Sequence, residues 1–165
     1  MMTAYLEKLA EAVGQRLLAR QALLATAESC TGGWIAQVVT SVPGSSAWFD
    51  RGFVTYSNQA KQEMLGVAPE TLAAHGAVSA QVAAEMAAGV LSHSQAWVAV
   101  AVTGVAGPGG GSEDKPVGTV YLAWARRDQA PLIQRRQFAG DREEIRRQTV
   151  RVALERLIEL LGADD

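Results

Sequence analysis

The sequence predicts an α/β fold: a single three-layer α/β/α domain over residues 1–165, built on a mixed, partly parallel sheet of about five strands. Three observations carry that expectation. Helical and strand patterns alternate through the first two thirds of the chain, as they do where helices connect the strands of one sheet. Trp97 to Thr103 is an unbroken apolar run, the pattern of a strand buried on both faces and therefore central. Val117 to Ala125 and Leu132 to Phe138 read as strands joined by the short Arg126–Ala130 connection, which makes them an antiparallel pair.

Each element has a local justification. Leu6, Leu9, Val13 and Leu17 recur at helical spacing with Glu7, Glu11 and Arg16 between them, giving an amphipathic first helix over about twenty residues. Leu23-Leu24-Ala25 is a short buried strand, and Thr26 to Gly33 the turn that follows it. Ile35, Val38, Val39 and Val42 then mark a helix ending by Pro43-Gly44. Trp48 to Tyr56 is aromatic and β-branched enough for a strand. Ser57-Asn58 offers an N-cap for a helix stopped by Gly66; with Asn58 as the cap, Lys61 is its third residue. Pro69 to His75 is a short helix closed by Gly76, and Ser79 caps an alanine-rich helix reaching towards Leu91. Asp141 with Glu144 is a capping-box variant opening a last helix striped by Ile145, Thr149, Val152, Leu157 and Leu160.

Composition narrows the classes. Hydrophobic residues are 48% and charged residues 19%, which excludes disorder. A net charge of −2 gives no electrostatic case for a polyanion, so no nucleic-acid partner is expected. The N-terminus has no apolar core of a leader, no run approaches a membrane span, and the lone cysteine fits a reducing compartment; a soluble cytoplasmic protein follows. Apolar faces on the two terminal helices suggest a homodimer.

The chemistry concentrates in Thr26 to Gly33, which places a carboxylate, hydroxyls, a thiol and two glycines at a strand-to-helix turn, where free N–H groups suit an anion or a developing oxyanion. The competing reading is a helix cap made by Ser29 or Thr31. Gly104 to Ser112 is a second candidate loop, but it is neither a P-loop, lacking the Lys and Ser/Thr after its glycines, nor a Rossmann turn. His75 and His93 are the only histidines and suit neither a zinc site nor a Ser-His-Asp triad, so no metal or cofactor is expected. The partner left for Ser29 is a lysine among Lys8, Lys61 and Lys115. Lys61, near a helix N-terminus that disfavours its ammonium, suits a general base, unless it is an ordinary solvated lysine. Ser29 would then attack a carbonyl, Lys61 take its proton and backbone N–H groups around Cys30 to Gly33 hold the oxyanion. Cys30 is the rival nucleophile, and Tyr56 is either a hydrogen-bond donor or core.

Those residues carry a resemblance. Ala27 to Gly33, Tyr56-Ser57-Asn58 with Lys61, His75 to Ser79, Ala101 to Gly111, Lys115 to Val120 and Gly140 to Glu143 look like the CinA C-terminal domain family, in order and over nearly the whole chain. The resemblance implies a metal-independent serine amidase that hydrolyses nicotinamide mononucleotide to nicotinate mononucleotide and ammonia in pyridine nucleotide recycling. It puts the nucleophile on Ser29 and the lysine on Lys61, and Tyr56, Thr103 and Arg142 in the pocket, with Arg142 suited to the substrate phosphate. The expected substrate-binding set also includes Glu28, Cys30, Thr31, Gly32, Gly33, Gly104, Gly107 and Gly109. Longer relatives add an N-terminal domain linked to a pyrophosphatase activity, which is expected to be absent here. Two alternatives stand beside this one: a non-catalytic module associated with competence or DNA damage, and an amidase for a different small amide.

Overall fold

The computed structural model describes residues 2–162; Met1 and residues 163–165 of the expected domain lie outside it. Along it run α1 (Met2–Arg20), β1 (Leu24–Glu28), α2 (Trp34–Thr40), a 3-10 turn (Ser45–Ala47), β2 (Phe49–Val54), α3 (Asn58–Leu65), α4 (Pro69–His75) and α5 (Ala80–Ser92). Then follow β3 (Val98–Gly104), β4 (Thr119–Arg126), β5 (Leu132–Gln137) and α6 (Arg142–Gly162). The five strands form one sheet in the order β2-β1-β3-β4-β5. β1 is parallel to both β2 and β3, whereas β4 and β5 are antiparallel. Parallel pairing therefore fills the β2-β1-β3 half of the sheet, and β4 alone runs against the other four strands.

Alternation along the strands sorts the two faces. Val98, Val100 and Val102 of β3 and Val120, Leu122 and Trp124 of β4 join α1, α2 and α6 in one core. Ala99, Ala101, Ala123 and Ala125 turn the other way, onto the alanine-rich α5. Small residues on both partners let that helix lie close. A Cβ at Gly89 of α5 would stand 2.1 Å from the Leu65 carbonyl oxygen, so α3 and α5 meet at backbone contact. On the opposite face Leu6, Val13 and Leu17 of α1 share a core with Ile145, Val152 and Leu157 of α6. The stripes that suggested a homodimer are thus used inside the chain, although Met2, Tyr5 and Leu18 stay exposed.

Three boundaries differ from the sequence reading. Thr26, Ala27 and Glu28, read as turn, belong to β1, because β2 and β3 flank them and supply both ladders. The next helix begins only at Trp34, so a four-residue turn separates it from Ser29. Ser57, not Asn58, caps α3: its side chain accepts from the Ala60 N–H, which makes Lys61 the fourth residue of the helix. Ser79 caps α5 through the Val82 N–H and Asp141 caps α6 through the Glu144 N–H, as expected. No helix among the described residues is long and apolar enough to cross a membrane.

Candidate active site

The parallel half of the sheet builds the site. Parallel pairing sets the carboxyl ends of β2, β1 and β3 side by side, where open α/β sheets receive ligands. Ser29 follows β1 directly, and its own N–H donates to the Val102 carbonyl at 3.1 Å, extending the ladder and fixing the residue at the sheet edge. Three residues separate β2 from α3, which carries Lys61 back to Ser29. A cleft of about 190 Å³ opens there, lined by Ser29, Cys30, Tyr56, Asn58, Lys61, Ala77, Val78, Thr103, Gly104, Ala106 and Arg142.

Lys61 is 1% exposed and Ser29 8% exposed. The Lys61 Nζ donates to Ser29 Oγ at 3.0 Å, to the Thr55 carbonyl at 2.9 Å and to the Tyr56 carbonyl at 3.2 Å. Those are three acceptors for the three N–H bonds of an ammonium, yet none carries a charge. Burial without a counter-ion disfavours the ammonium, and desolvation holds the Lys61 pKa below the ordinary lysine range. The solvated alternative is excluded by this burial.

Cys30 sits in the same wall but is inert. Burial, helped by the Glu28 charge, pushes its thiol up to about 12, so it stays protonated where a thiolate would be needed. No histidine compensates. His75 ends α4 on the surface, and the His93 Nδ1 lies 2.8 Å from the Gly89 carbonyl oxygen, neither lining the cleft.

Several residues of the expected substrate-binding set stand outside the lining of the cleft. Glu28 is buried behind the cleft, where it accepts from the Thr31 hydroxyl at 2.5 Å, the Ile35 N–H at 2.8 Å and the Ala36 N–H at 3.1 Å. Its side chain takes the first free N–H groups of α2, so Glu28 and Thr31 together hold the turn. Desolvation raises the Glu28 pKa against the opposing pull of those hydrogen bonds. Gly32 and Gly33 have positive φ, 61° and 103°, and make the turn without lining the cleft. Gly107 is buried, and a Cβ on it would strike Val117 at 2.4 Å, while Gly109 has nothing within 4 Å and stands outside. Gly104 does line the cleft, yet its missing Cβ is needed for packing, since one would lie 2.7 Å from Val120.

Thr103, Tyr56 and Arg142 are brought together with the pair. Thr103 Oγ1 donates to the Ala77 carbonyl at 2.9 Å, tying β3 to the loop before α5. Arg142, the first residue of α6, donates to the Gly107 carbonyl at 2.8 Å and to the Tyr56 hydroxyl at 3.1 Å, which brings a cation to the cleft mouth. Sequence reasoning missed Ala77, Val78 and Ala106 as lining because their side chains carry no polar group, and Asn58 because its amide was read as a helix cap. It also did not single out Arg146, although its place four residues after Arg142 puts both on one helix face. Among the described residues no group of three or more His, Cys, Asp or Glu side chains gathers as a metal site requires.

A model of the CinA C-terminal domain family matches residues 6–161. The nicotinamide-nucleotide amidohydrolase PncC of Escherichia coli (strain K12) is 55% identical over 157 residues, covering 95% of each chain. A protein of the same name from Pseudomonas putida is 55% identical over 153 residues, covering 92% of this chain and 94% of that one. The crystal structure of the competence/damage inducible protein CihA from Agrobacterium tumefaciens superposes with a TM-score of 0.92 at 52% identity, over 94% of each chain.

Proposed function

The chain belongs to the CinA C-terminal domain family, and from that premise we propose that Ser29 and Lys61 carry out its nicotinamide-nucleotide amidohydrolysis, releasing ammonia from nicotinamide mononucleotide. The observation that supports this most is the 3.0 Å contact between a buried, counter-ion-free Lys61 Nζ and Ser29 Oγ at the wall of the cleft.

The surroundings of Lys61 suit a base. A neutral amine has two N–H bonds and one lone pair. With the Thr55 and Tyr56 carbonyls taking the two N–H bonds, the lone pair is left for the Ser29 hydroxyl proton. Ser29 Oγ then attacks the carboxamide carbon, and Lys61 holds the proton it has gained. That ammonium protonates the departing nitrogen, ammonia leaves, and an ester on Ser29 remains. Water attacks the ester as Lys61 again accepts a proton, giving the carboxylate and restoring the serine. The pyridinium of the substrate is cationic, so a lysine that resists protonation also avoids repelling it.

For the oxyanion, the donors narrow to the start of the turn. The Gly32 N–H donates to the Ser29 carbonyl and the Trp34 N–H to the Thr31 carbonyl, while those of Ile35 and Ala36 go to Glu28. The Cys30 N–H, next to the nucleophile in the cleft wall, is the donor we assign. Arg142 at the mouth suits the phosphate, whose geometry a guanidinium matches.

A cytoplasmic location is supported by the single unpaired thiol of Cys30. The nucleic-acid-associated alternative finds no support in the arginines of α6. Arg147 pairs with Glu143 and Glu144, Arg151 with Glu155, and Arg156 with Glu159, which leaves little excess charge on that helix. The test is ammonia release from nicotinamide mononucleotide and from free nicotinamide by the wild type, Ser29→Ala and Lys61→Ala, each verified as folded. Turnover of the nucleotide that collapses in both variants is expected, with free nicotinamide a far poorer substrate. Undiminished release by Ser29→Ala would remove the serine from the reaction.

A further inference from the structure

Arg146 lies one turn into α6, yet its guanidinium reaches across to the nucleophile turn. Its Nε donates to the Cys30 carbonyl and its Nη2 to the Thr31 carbonyl, both at 3.1 Å. The same side chain lies over the Trp34 ring, 5.3 Å from its centroid, and pairs with no carboxylate among the described residues. A long side chain held at both carbonyls and one ring has given up most of its rotamer freedom. Arg147 and Arg151 instead make ion pairs within their own helix, and Arg142 reaches the Gly107 carbonyl and the Tyr56 hydroxyl, so among these four arginines only Arg146 donates to the carbonyls of the nucleophile turn.

Peptide planarity carries the consequence to the reacting atoms. In a trans peptide the carbonyl of one residue and the N–H of the next point in opposite directions. By holding the Thr31 carbonyl, Arg146 fixes the plane that also contains the Gly32 N–H, and that N–H donates to the Ser29 carbonyl at 3.1 Å. The Ser29 carbonyl in turn shares a plane with the Cys30 N–H. Two linked planes therefore connect the guanidinium to the donor beside the nucleophile, and the contact with the Cys30 carbonyl fixes the plane between them.

We propose that Arg146 is a positioning residue for this amidohydrolysis, locking the turn after Ser29 so that the Cys30 N–H faces the developing oxyanion. The inference rests on the serine reading given above. It separates Arg146 from Arg142: one touches the turn from behind, the other stands at the cleft mouth. Because Arg146 makes no hydrogen bond to Lys61, its loss leaves the base alone.

The test compares Arg146→Met and Arg146→Lys with the wild type and Ser29→Ala, measuring kcat, KM and the pH–rate profile on nicotinamide mononucleotide, with thermal melting alongside. For Arg146→Met the expectation is a fall in kcat on the order of 10²-fold, with KM changed by less than about twofold. The acid limb of its profile stays in place, and Arg146→Lys recovers part of the loss, because one ammonium can hold one carbonyl. A folded Arg146→Met with kcat within about threefold of wild type overturns the proposal. So does a loss carried by KM, or one accompanied by a displaced acid limb. If Arg146→Met does not fold, the same criteria apply to Arg146→Lys. An inactive Ser29→Ala beside a fully active arginine variant defeats the positioning role alone, whereas an active Ser29→Ala defeats the serine reading and this inference with it.

Discussion

Glu28 and Ser29 are consecutive, and each anchors a buried polar cluster, but the two clusters are built differently. Around Glu28 the donors are local, a threonine hydroxyl and backbone N–H groups within eight residues, and the carboxylate does not line the cleft. Around Lys61 two acceptors are fixed carbonyls and the third is a hydroxyl, brought from 32 residues away, whose proton can move. Burial shifts both ionisable groups towards neutrality, the acid upward and the amine downward. Burial by itself therefore does not distinguish a reactive group from a capping one. Each has a hydroxyl partner, Thr31 for Glu28 and Ser29 for Lys61; what distinguishes them is whether the cleft reaches the pair, and of the two only Ser29 and Lys61 line it.

The largest effect that sharpens this contrast is in Lys61→Met. Loss of the base lowers kcat for ammonia release by roughly 10²–10⁴-fold. Stability moves the other way. With its folded pKa below the unfolded value of 10.5, wild-type Lys61 sheds its proton on folding, so between the two values the unfolded chain binds more protons and stability rises with pH. Lys61→Met removes that slope, so the variant gains most over wild type on the acid side of the window and loses the advantage as pH climbs through it. Denaturant midpoints across that range test the sign, and a variant less stable than wild type at neutral pH would show Lys61 to be structural. In the wild type, the acid limb of kcat/KM should lie below the ordinary lysine range.

Glu28→Ala tests the other cluster and should do the reverse. It strips the Thr31 hydroxyl and the Ile35 and Ala36 N–H groups of their acceptor, at about 1–3 kcal/mol for a buried polar group left unsatisfied. Glu28→Gln keeps part of that acceptance and is milder. The raised folded pKa sets the pH dependence: the protonated acid contributes stability that is present below the unfolded value of 4.5 and lost as pH rises through the folded value. Glu28→Gln lacks that titration, so its deficit against wild type is greatest at acid pH and shrinks towards neutrality. Urea melts at several pH values measure it, and a deficit that grows with pH would contradict the direction.

Much of this was legible in the sequence because it depends on local pattern. Pro69, Gly76, Ser79 and Gly66 punctuate helices by their own backbone and capping chemistry, and they do so where expected. The Ser29–Lys61 pairing could be reached by elimination, as histidine is scarce and only three lysines exist. Glu28 could not be separated from the substrate contacts, since its partners are backbone N–H groups two turns further on that no side-chain pattern advertises. Arg146 depends on α6 packing across the nucleophile turn, a relation spanning 116 residues. Residues whose role lies in reaching another element's backbone are those the sequence leaves unmarked.

Arg142→Ala, next in size, probes the mouth of the cleft rather than either cluster. Losing a charge-assisted contact to phosphate should raise KM for nicotinamide mononucleotide by about tenfold to a hundredfold. Release from free nicotinamide, which has no phosphate, should be unaffected by this substitution. Equal losses on both substrates would mean that Arg142 holds Tyr56 and the Gly107 loop in place instead.

The smallest effect belongs to Cys30, which sits between the two clusters and takes part in neither through its side chain. The residue is buried and its thiol stays protonated, so Cys30→Ala should cost about 1 kcal/mol for a small packing defect. Activity should remain within about threefold of wild type, because alanine keeps the backbone N–H that we assign to the oxyanion. A loss comparable to that of Lys61→Met would move the nucleophile onto sulfur and leave Lys61 as the base for a thiol. The pH profile would then show whether sulfur acts with Lys61 or without it. A free thiolate acting without Lys61 would carry activity into the alkaline range where Cys30 ionises, near 12, whereas any reaction with Lys61 as base levels off once Lys61 is neutral.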